Sequence, residues 1–217
     1  MRRLYIIVEG QTEQEFVSQT LAPHLRDLGI YDITPILIRT SKTGKGGFVN
    51  YEHLKNDVTR LLSSEKDIIV STFVDFFRIP TSVPKYKDSM RLNSDNDKVE
   101  SLEQGMFESI SDRRFIPYIQ LHEFEALLFS SNKGFEEYCE VPVYKQTKSI
   151  VDSYENPEDI NSSPETAPSK RLLKINPDYD KVLEGNLIAL KVGINTMLER
   201  CPRFREWVEK LIAEVKK

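Results

Sequence analysis

The chain opens with an apolar run at residues 4–8, rich in β-formers and closed by Glu9 and Gly10. Apolar residues on consecutive rather than alternate positions predict a strand buried on both faces. Thr12 followed three positions later by Glu15 forms a capping-box signature, and Phe16, Val17, Leu21, Leu25 and Leu28 then recur at helical spacing up to Gly29. Pro23 predicts a kink or division of that helix. Residues 33–38 predict a second strand, Leu54, Val58, Leu61 and Leu62 a second amphipathic helix, and residues 68–74 a third strand ending at Asp75. Strand and helix alternating in this way point to a parallel sheet.

Residues 78–97 are polar, contain Pro80 and Pro84, and read as a long surface loop. Val99, Leu102, Met106 and Ile110 predict a third helix, and residues 115–121 a fourth strand that runs into His122-Glu-Phe-Glu-Ala-Leu-Leu-Phe129. Beyond residue 134 the texture changes. Residues 156–168 are turn-rich and interrupted by Pro157, Pro164 and Pro168, so no central strand passes through them. Two helices are expected after that, one with Leu187, Leu190, Ile194 and Leu198, the other from Pro202 with Phe204, Trp207, Val208, Leu211 and Ile212 on its apolar face. Internal packing is the expectation for Trp207. The predicted architecture is α/β: a central parallel sheet of about four strands flanked by helices over residues 1–134, with residues 135–217 a Pro-rich segment and helical extension packed on it.

A chain of 217 residues can bury one substantial core, and no apolar run approaches the ~20 residues that cross a bilayer. The first apolar run is also too short for a signal-peptide core, so a cytoplasmic location without membrane association is expected. Cys139 and Cys201 lie far apart in no Cys-x-x-Cys or Cys/His pattern, which argues against a disulfide framework or a zinc site. A net charge of −4 argues against broad attraction to nucleic acid and leaves local basic clusters as the candidates: Arg39, Lys42 and Lys45; Lys85, Lys87 and Arg91; Arg113 and Arg114; Lys170, Arg171 and Lys174. Taken singly, each reads as ordinary solvated charge.

In open α/β sheets the functional crevice lies beyond the carboxyl ends of the strands. Glu9 follows the first strand, Asp75 the third, and Glu123 and Glu125 the fourth, with Glu13 a helical turn past Glu9. Carboxylates converging from separate strands repel one another unless a cation or a proton intervenes, and hard oxygen donors favour Mg²⁺ or Mn²⁺. Each acid has a plainer reading too. Glu13 and Glu15 are placed to cap the first helix, Asp75 to end a strand, and Glu125 to face solvent or pair with Arg78. His122, beside two acids, reads as a neutral, hydrogen-bonded structural histidine.

The segment Val8-Glu-Gly-Gln-Thr-Glu13 resembles the first motif of the Toprim fold, and Asp75 sits where that fold places its aspartate motif. With residues 73–80, 121–129, 164–171 and 201–207, the likeness extends over nearly the whole chain to a bacterial family of small stand-alone Toprim-like proteins, whose genes often neighbour ATPase, restriction or phage-defence genes. The resemblance implies a metal-dependent nuclease acting on DNA or RNA, with Glu9, Asp75 and Glu123 as metal ligands and Glu13 or Glu125 orienting the attacking water. Lys42 and Lys45 in the Gly-rich loop, together with Lys170 and Arg171, are the expected phosphate contacts, although the loop lacks P-loop spacing. One departure matters: Toprim enzymes commonly carry Asp-x-Asp, whereas Phe76 and Phe77 follow Asp75, so Glu123 or Glu125 must supply the missing ligand. The competing expectation is a weak or inactive Toprim scaffold that regulates a partner ATPase. A third reading, a Toprim protein that cuts structured RNA or makes a primer, has no RNA-binding motif or zinc ribbon behind it.

Overall fold

The computed structural model of the chain describes residues 2–40, 47–160, 163 and 165–217. Its centre is a parallel sheet. Strand β1 (Arg3–Val8) lies between β2 (Ile33–Leu37) and β3 (Ile68–Asp75), and the short strands β4 (Phe115–Ile116) and β5 (Ile119–Gln120) both pair with β3. Alternate residues divide between two cores: Leu4, Ile6, Val8, Ile69 and Phe73 face one, and Tyr5, Ile7, Ile68, Val70 and Val74 face the other. Burial on both sides explains why these strands read as unbroken apolar runs. Pro35, opposite Ile6, is tolerated because β2 is an edge strand.

The first helical region is divided as Pro23 predicts. Helix α1 (Gln11–Phe16) passes into a π-helical turn (Val17–Leu21), and α2 (Ala22–Asp27) restarts with Pro23 in its first turn. Proline cannot donate into the preceding turn and its ring crowds the carbonyl there, so the bonding loosens just before it. The cap differs from expectation: Gly10 is the N-cap, with Glu13 Oε2 accepting its N–H at 2.8 Å, so Glu13 completes the capping box and Thr12 lies buried in the first turn.

Helix α3 (Tyr51–Ser64) forms as predicted. The region read as a surface loop is largely structured instead. Ile79 and Val83 are buried, α4 (Tyr86–Ser89) follows, and α5 (Asp95–Ile110) is capped by Ser94. The fourth strand is broken at Pro117, which lacks an N–H for the ladder. The Thr72 hydroxyl spans the gap, donating to Tyr118 O and accepting from Tyr118 N, each at 2.8 Å.

Helices α6 (Glu125–Leu128), α7 (Lys133–Tyr138), α8 (Val141–Ser153), α9 (Pro168–Ile175), α10 (Leu183–Val192), α11 (Ile194–Arg200) and α12 (Pro202–Lys216) complete the chain. The expected single helix through Leu187 and Leu198 breaks between α10 and α11 at Gly193, whose φ of 81° suits only glycine. Gly134 on α7 lets α10 approach so closely that a Cβ there would lie 2.6 Å from Ile188 O. The later helices share the first core with the sheet. Trp207 of α12 stacks on Tyr118 and Phe73, with centroid distances of 4.4 and 5.5 Å, and its Nε1 donates to Ser71 Oγ at 2.9 Å. Its position is thus internal, against β3.

The buried Glu158, in a 3₁₀ turn (Pro157–Asp159), accepts from the backbone N–H groups of Arg203 and Phe204 at 2.9 and 3.1 Å and so anchors the start of α12. Burial pushes its carboxyl up to about 7, so the folded state binds this proton more tightly than the unfolded state.

Two outcomes follow from this packing. Trp207→Phe, which loses the Ser71 bond, is expected to cost about 1 kcal/mol, and Trp207→Ala about 3–5 kcal/mol, measured by urea denaturation. The stabilising effect of the Glu158 proton is complete below the unfolded carboxylate range and is lost as pH rises through about 7. Glu158→Gln should therefore become more stable relative to wild type between pH 5 and pH 8; a pH-independent difference would exclude this titration.

Candidate functional site

The parallel register carries several acids to one edge of the sheet. Glu9 leaves β1, Asp75 ends β3, and the segment after β5 turns sharply at His122, whose φ is 67°, into Glu123 and α6. Two bonds from backbone N–H groups lock this edge: Phe77 N donates to His122 O at 2.8 Å, and Phe124 N donates to the Asp75 carboxylate Oδ1 at 2.9 Å. Glu9 is fixed from both sides, its carbonyl accepting from Gly47 N at 2.7 Å and its Oε2 from Asp75 N at 3.4 Å.

At the centre of the acids stands a cation that sequence reasoning did not single out. Lys181 Nζ lies 3.3 Å from Glu125 Oε2, 3.6 Å from Asp75 Oδ2 and 3.8 Å from Glu13 Oε1. Glu13 therefore serves twice, one oxygen closing the capping box and the other facing the lysine. Glu125 faces neither solvent nor Arg78. It is fully buried, and neither of its oxygens accepts a hydrogen bond among the described residues. Lys181 is delivered by the turn into α10, where Asp180 Oδ1 accepts from Val182 N and Leu183 N, each at 2.9 Å. Tyr179 comes from the same turn. Its buried hydroxyl also lacks a partner among the described residues and lies 2.6 Å from where a Cβ on Gly185 would stand, so a larger residue 185 would have to displace it.

Glu123 is engaged elsewhere. Its two oxygens accept from the backbone N–H and the hydroxyl of Ser169, both at 2.9 Å, at the start of α9. The structure thus brings Glu13, Asp75 and Glu125 around one charge, sets Glu9 beside Asp75, and turns Glu123 toward α9. Of the expected phosphate contacts, Arg171 donates to Thr166 O and the Tyr154 hydroxyl and lies over the Tyr154 ring, while Lys170 is half-buried. Lys42 and Lys45 fall outside the described residues.

Burial dominates the electrostatics. It pushes Asp75 well above the usual carboxylate range, against the pull of Lys181 and with the added push of Glu13, Glu9 and Glu125. Burial, then the neighbouring Glu13, likewise raises Glu9, and burial pushes Glu125 up to about 7. For Lys181 burial opposes the charge, but Asp75, Glu125 and Glu13 outweigh it and hold the ammonium protonated. His122 is pushed down to about 4 by burial, so its imidazole is neutral at physiological pH. Among the described residues no three Asp, Glu, His or Cys side chains are drawn together in the arrangement of a metal site, the interior of the cluster being taken by Lys181.

The fold has counterparts of known structure. The C-terminal region of the OLD protein of Burkholderia pseudomallei superposes with a TM-score of 0.50 at 15% identity, covering 98% of this chain and 99% of that one. The C-terminal region of the OLD protein of Xanthomonas campestris pv. campestris does so with a TM-score of 0.50 at 16% identity, covering 98% and 94%. At these identities the likeness establishes a shared architecture. No curated protein matches the sequence. No described helix is long and apolar enough to cross a membrane. A domain of unknown function, DUF4276, matches residues 8–212, and the chain belongs to that family.

Proposed function

We propose that the chain is a divalent-metal-dependent nuclease of Toprim type, hydrolysing phosphodiester bonds in DNA or RNA. The observation that carries this reading is the Lys181 ammonium held among buried carboxylates from α1, β3 and α6, a pocket built to prefer a cation. The donors also suit a hard ion: all are carboxylate oxygens, and those of Glu125 are buried without hydrogen bonds among the described residues. Glu9, Glu13, Asp75 and Glu125 are the residues that would hold Mg²⁺ or Mn²⁺ were the Lys181 ammonium, which now takes the interior of the cluster, drawn out from among them. When bound, such an ion polarises a phosphate and lowers the pKa of a water.

The chain's own groups do the rest. Lys181 offsets part of the carboxylates' charge and spaces Glu13, Asp75 and Glu125 around it. Glu123, bonded to Ser169, holds the start of α9, which carries Lys170 and Arg171, against the segment that leads into α6. Lys42 and Lys45 complete the proposed phosphate contacts, and a partner ATPase in phage defence is the proposed setting. A second reading, a Toprim scaffold that regulates such an ATPase, is favoured by one observation: Lys181 already compensates the acids, so the site stands without further ligands.

The nuclease reading predicts Mg²⁺- or Mn²⁺-dependent cleavage of labelled DNA or RNA, reduced about 10²–10³-fold or more by Glu9→Gln or Asp75→Asn with the circular dichroism spectrum unchanged. Wild-type protein inert toward both polymers with either metal, alone and with any ATPase found encoded beside it, would leave the scaffold reading. Metal binding also has a readout independent of cleavage. In EDTA, Lys181→Met is expected to lower stability by about 1–3 kcal/mol, less than for a fully buried pair because the lysine is partly exposed. Mg²⁺ or Mn²⁺ should restore part of that loss in urea denaturation, and no restoration by either ion would count against metal binding here.

A further inference from the structure

We propose that Arg78 is a positioning residue that holds a backbone phosphate of the nucleic acid at the rim of the acidic site, an inference that rests on the nuclease reading. Arg78 follows the end of β3 and has a φ of 62°. A non-glycine residue stays in this conformation only where its surroundings over-determine it, and such residues collect at functional sites. Here the surroundings do so: Phe76 N donates to Gln120 O at 3.0 Å, Phe77 N to His122 O at 2.8 Å, and Ile79 N to Phe76 O at 3.1 Å. The accepting residue His122 is itself left-handed, with a φ of 67°, and immediately precedes Glu123. Two left-handed non-glycine residues thus lie at or next to the Phe77–His122 bond, at the edge that carries Asp75 and Glu123.

What this strain presents is an exposed guanidinium that makes no hydrogen bond or ion pair among the described residues and lies 5.2 Å from the centroid of the Phe77 ring. Arg3, Arg60, Arg114 and Arg203, by contrast, are tied to carboxylates. A guanidinium resting on a ring, with its donors free, is pre-organised for the two-point grip on an oxyanion that a lysine cannot make. The ring belongs to the position where this chain departs from Asp-x-Asp, so an expected negative side chain is replaced by a platform for a positive one. A polyanionic strand approaching Glu9, Asp75 and Glu125 is repelled, and a cation fixed at their rim offsets that repulsion.

The strain makes the test discriminating, because glycine at position 78 relieves it while removing the guanidinium. Binding of a fluorescein-labelled DNA duplex and of its single strand, each with an RNA counterpart, is measured by anisotropy against salt in an Asp75→Asn background that does not cleave. Arg78→Gly should weaken binding about 10-fold and reduce the duplex salt slope by about 0.9, the change for one lost phosphate contact, while its urea midpoint stays level or rises. Arg78→Lys should keep the slope and bind more weakly than arginine. Arg113→Ala, at the opposite edge of the sheet, should bind as the parent does. Unchanged binding in Arg78→Gly, or a lowered midpoint that accounts for the loss, overturns the role of Arg78 alone. A parent protein that binds none of the nucleic acids overturns this role together with the nuclease reading.

Discussion

Like charges buried together must be compensated, and at the carboxyl edge of this sheet the compensation is a single ammonium. Glu13, Asp75 and Glu125 come from a helix, a strand and the turn after another strand, and Lys181 is the group they have in common. Desolvation alone would protonate such acids. Lys181 opposes that protonation from their midst, and the elements carrying it are held accordingly: Asp180 pins its turn, Gly185 makes room for Tyr179 beside it, and α10 packs against α1 and α7.

The backbone around the acids is as constrained as the charges. The Glu9 and Asp75 carboxylates accept from the backbone N–H groups of Asp75 and Phe124, and main-chain bonds from Phe76 and Phe77 to Gln120 and His122 carry the pairing past the end of β3. Thr72 mends the ladder where Pro117 interrupts it, so the segment carrying Glu123 and Glu125 remains in register with β3. Ser169 then draws α9 onto Glu123, which places the proline-rich segment against the His-Glu-Phe-Glu run although they are far apart in sequence.

How much of this could be read in advance divides along physical lines. The central strands and α3, α5 and α12 were legible because burial on defined faces writes itself into the spacing of apolar residues. That Glu9, Asp75 and the acids after the fourth strand share an edge was legible because a parallel sheet puts all its carboxyl ends on one side. The division of labour between Glu123 and Glu125 was not, since it depends on the turn at His122, where a left-handed residue removes any simple alternation of faces. Lys181 was not legible either. It sits in a short polar stretch before α10 where no periodicity distinguishes one lysine from another, and the only clue was the unpaired charge it had to satisfy. The helices α7 and α8 escaped notice because their apolar positions are few, and α8 is buried mainly at Thr147, a polar residue bonded to Asn132.

One feature of the packing bears on how the protein is made. The face of the sheet that holds Phe73 and Tyr118 is closed by Trp207 and Phe204, from a helix synthesised long after β1 and β3. At ribosomal speeds the interval between β3 and α12 is on the order of ten seconds. For that time the face around Phe73 is covered only in part, by Phe16 of α1, and the acids gathered at the strand ends have no Lys181. Completion of the sheet is consequently a late event, reached when the helices that cover it have left the ribosome.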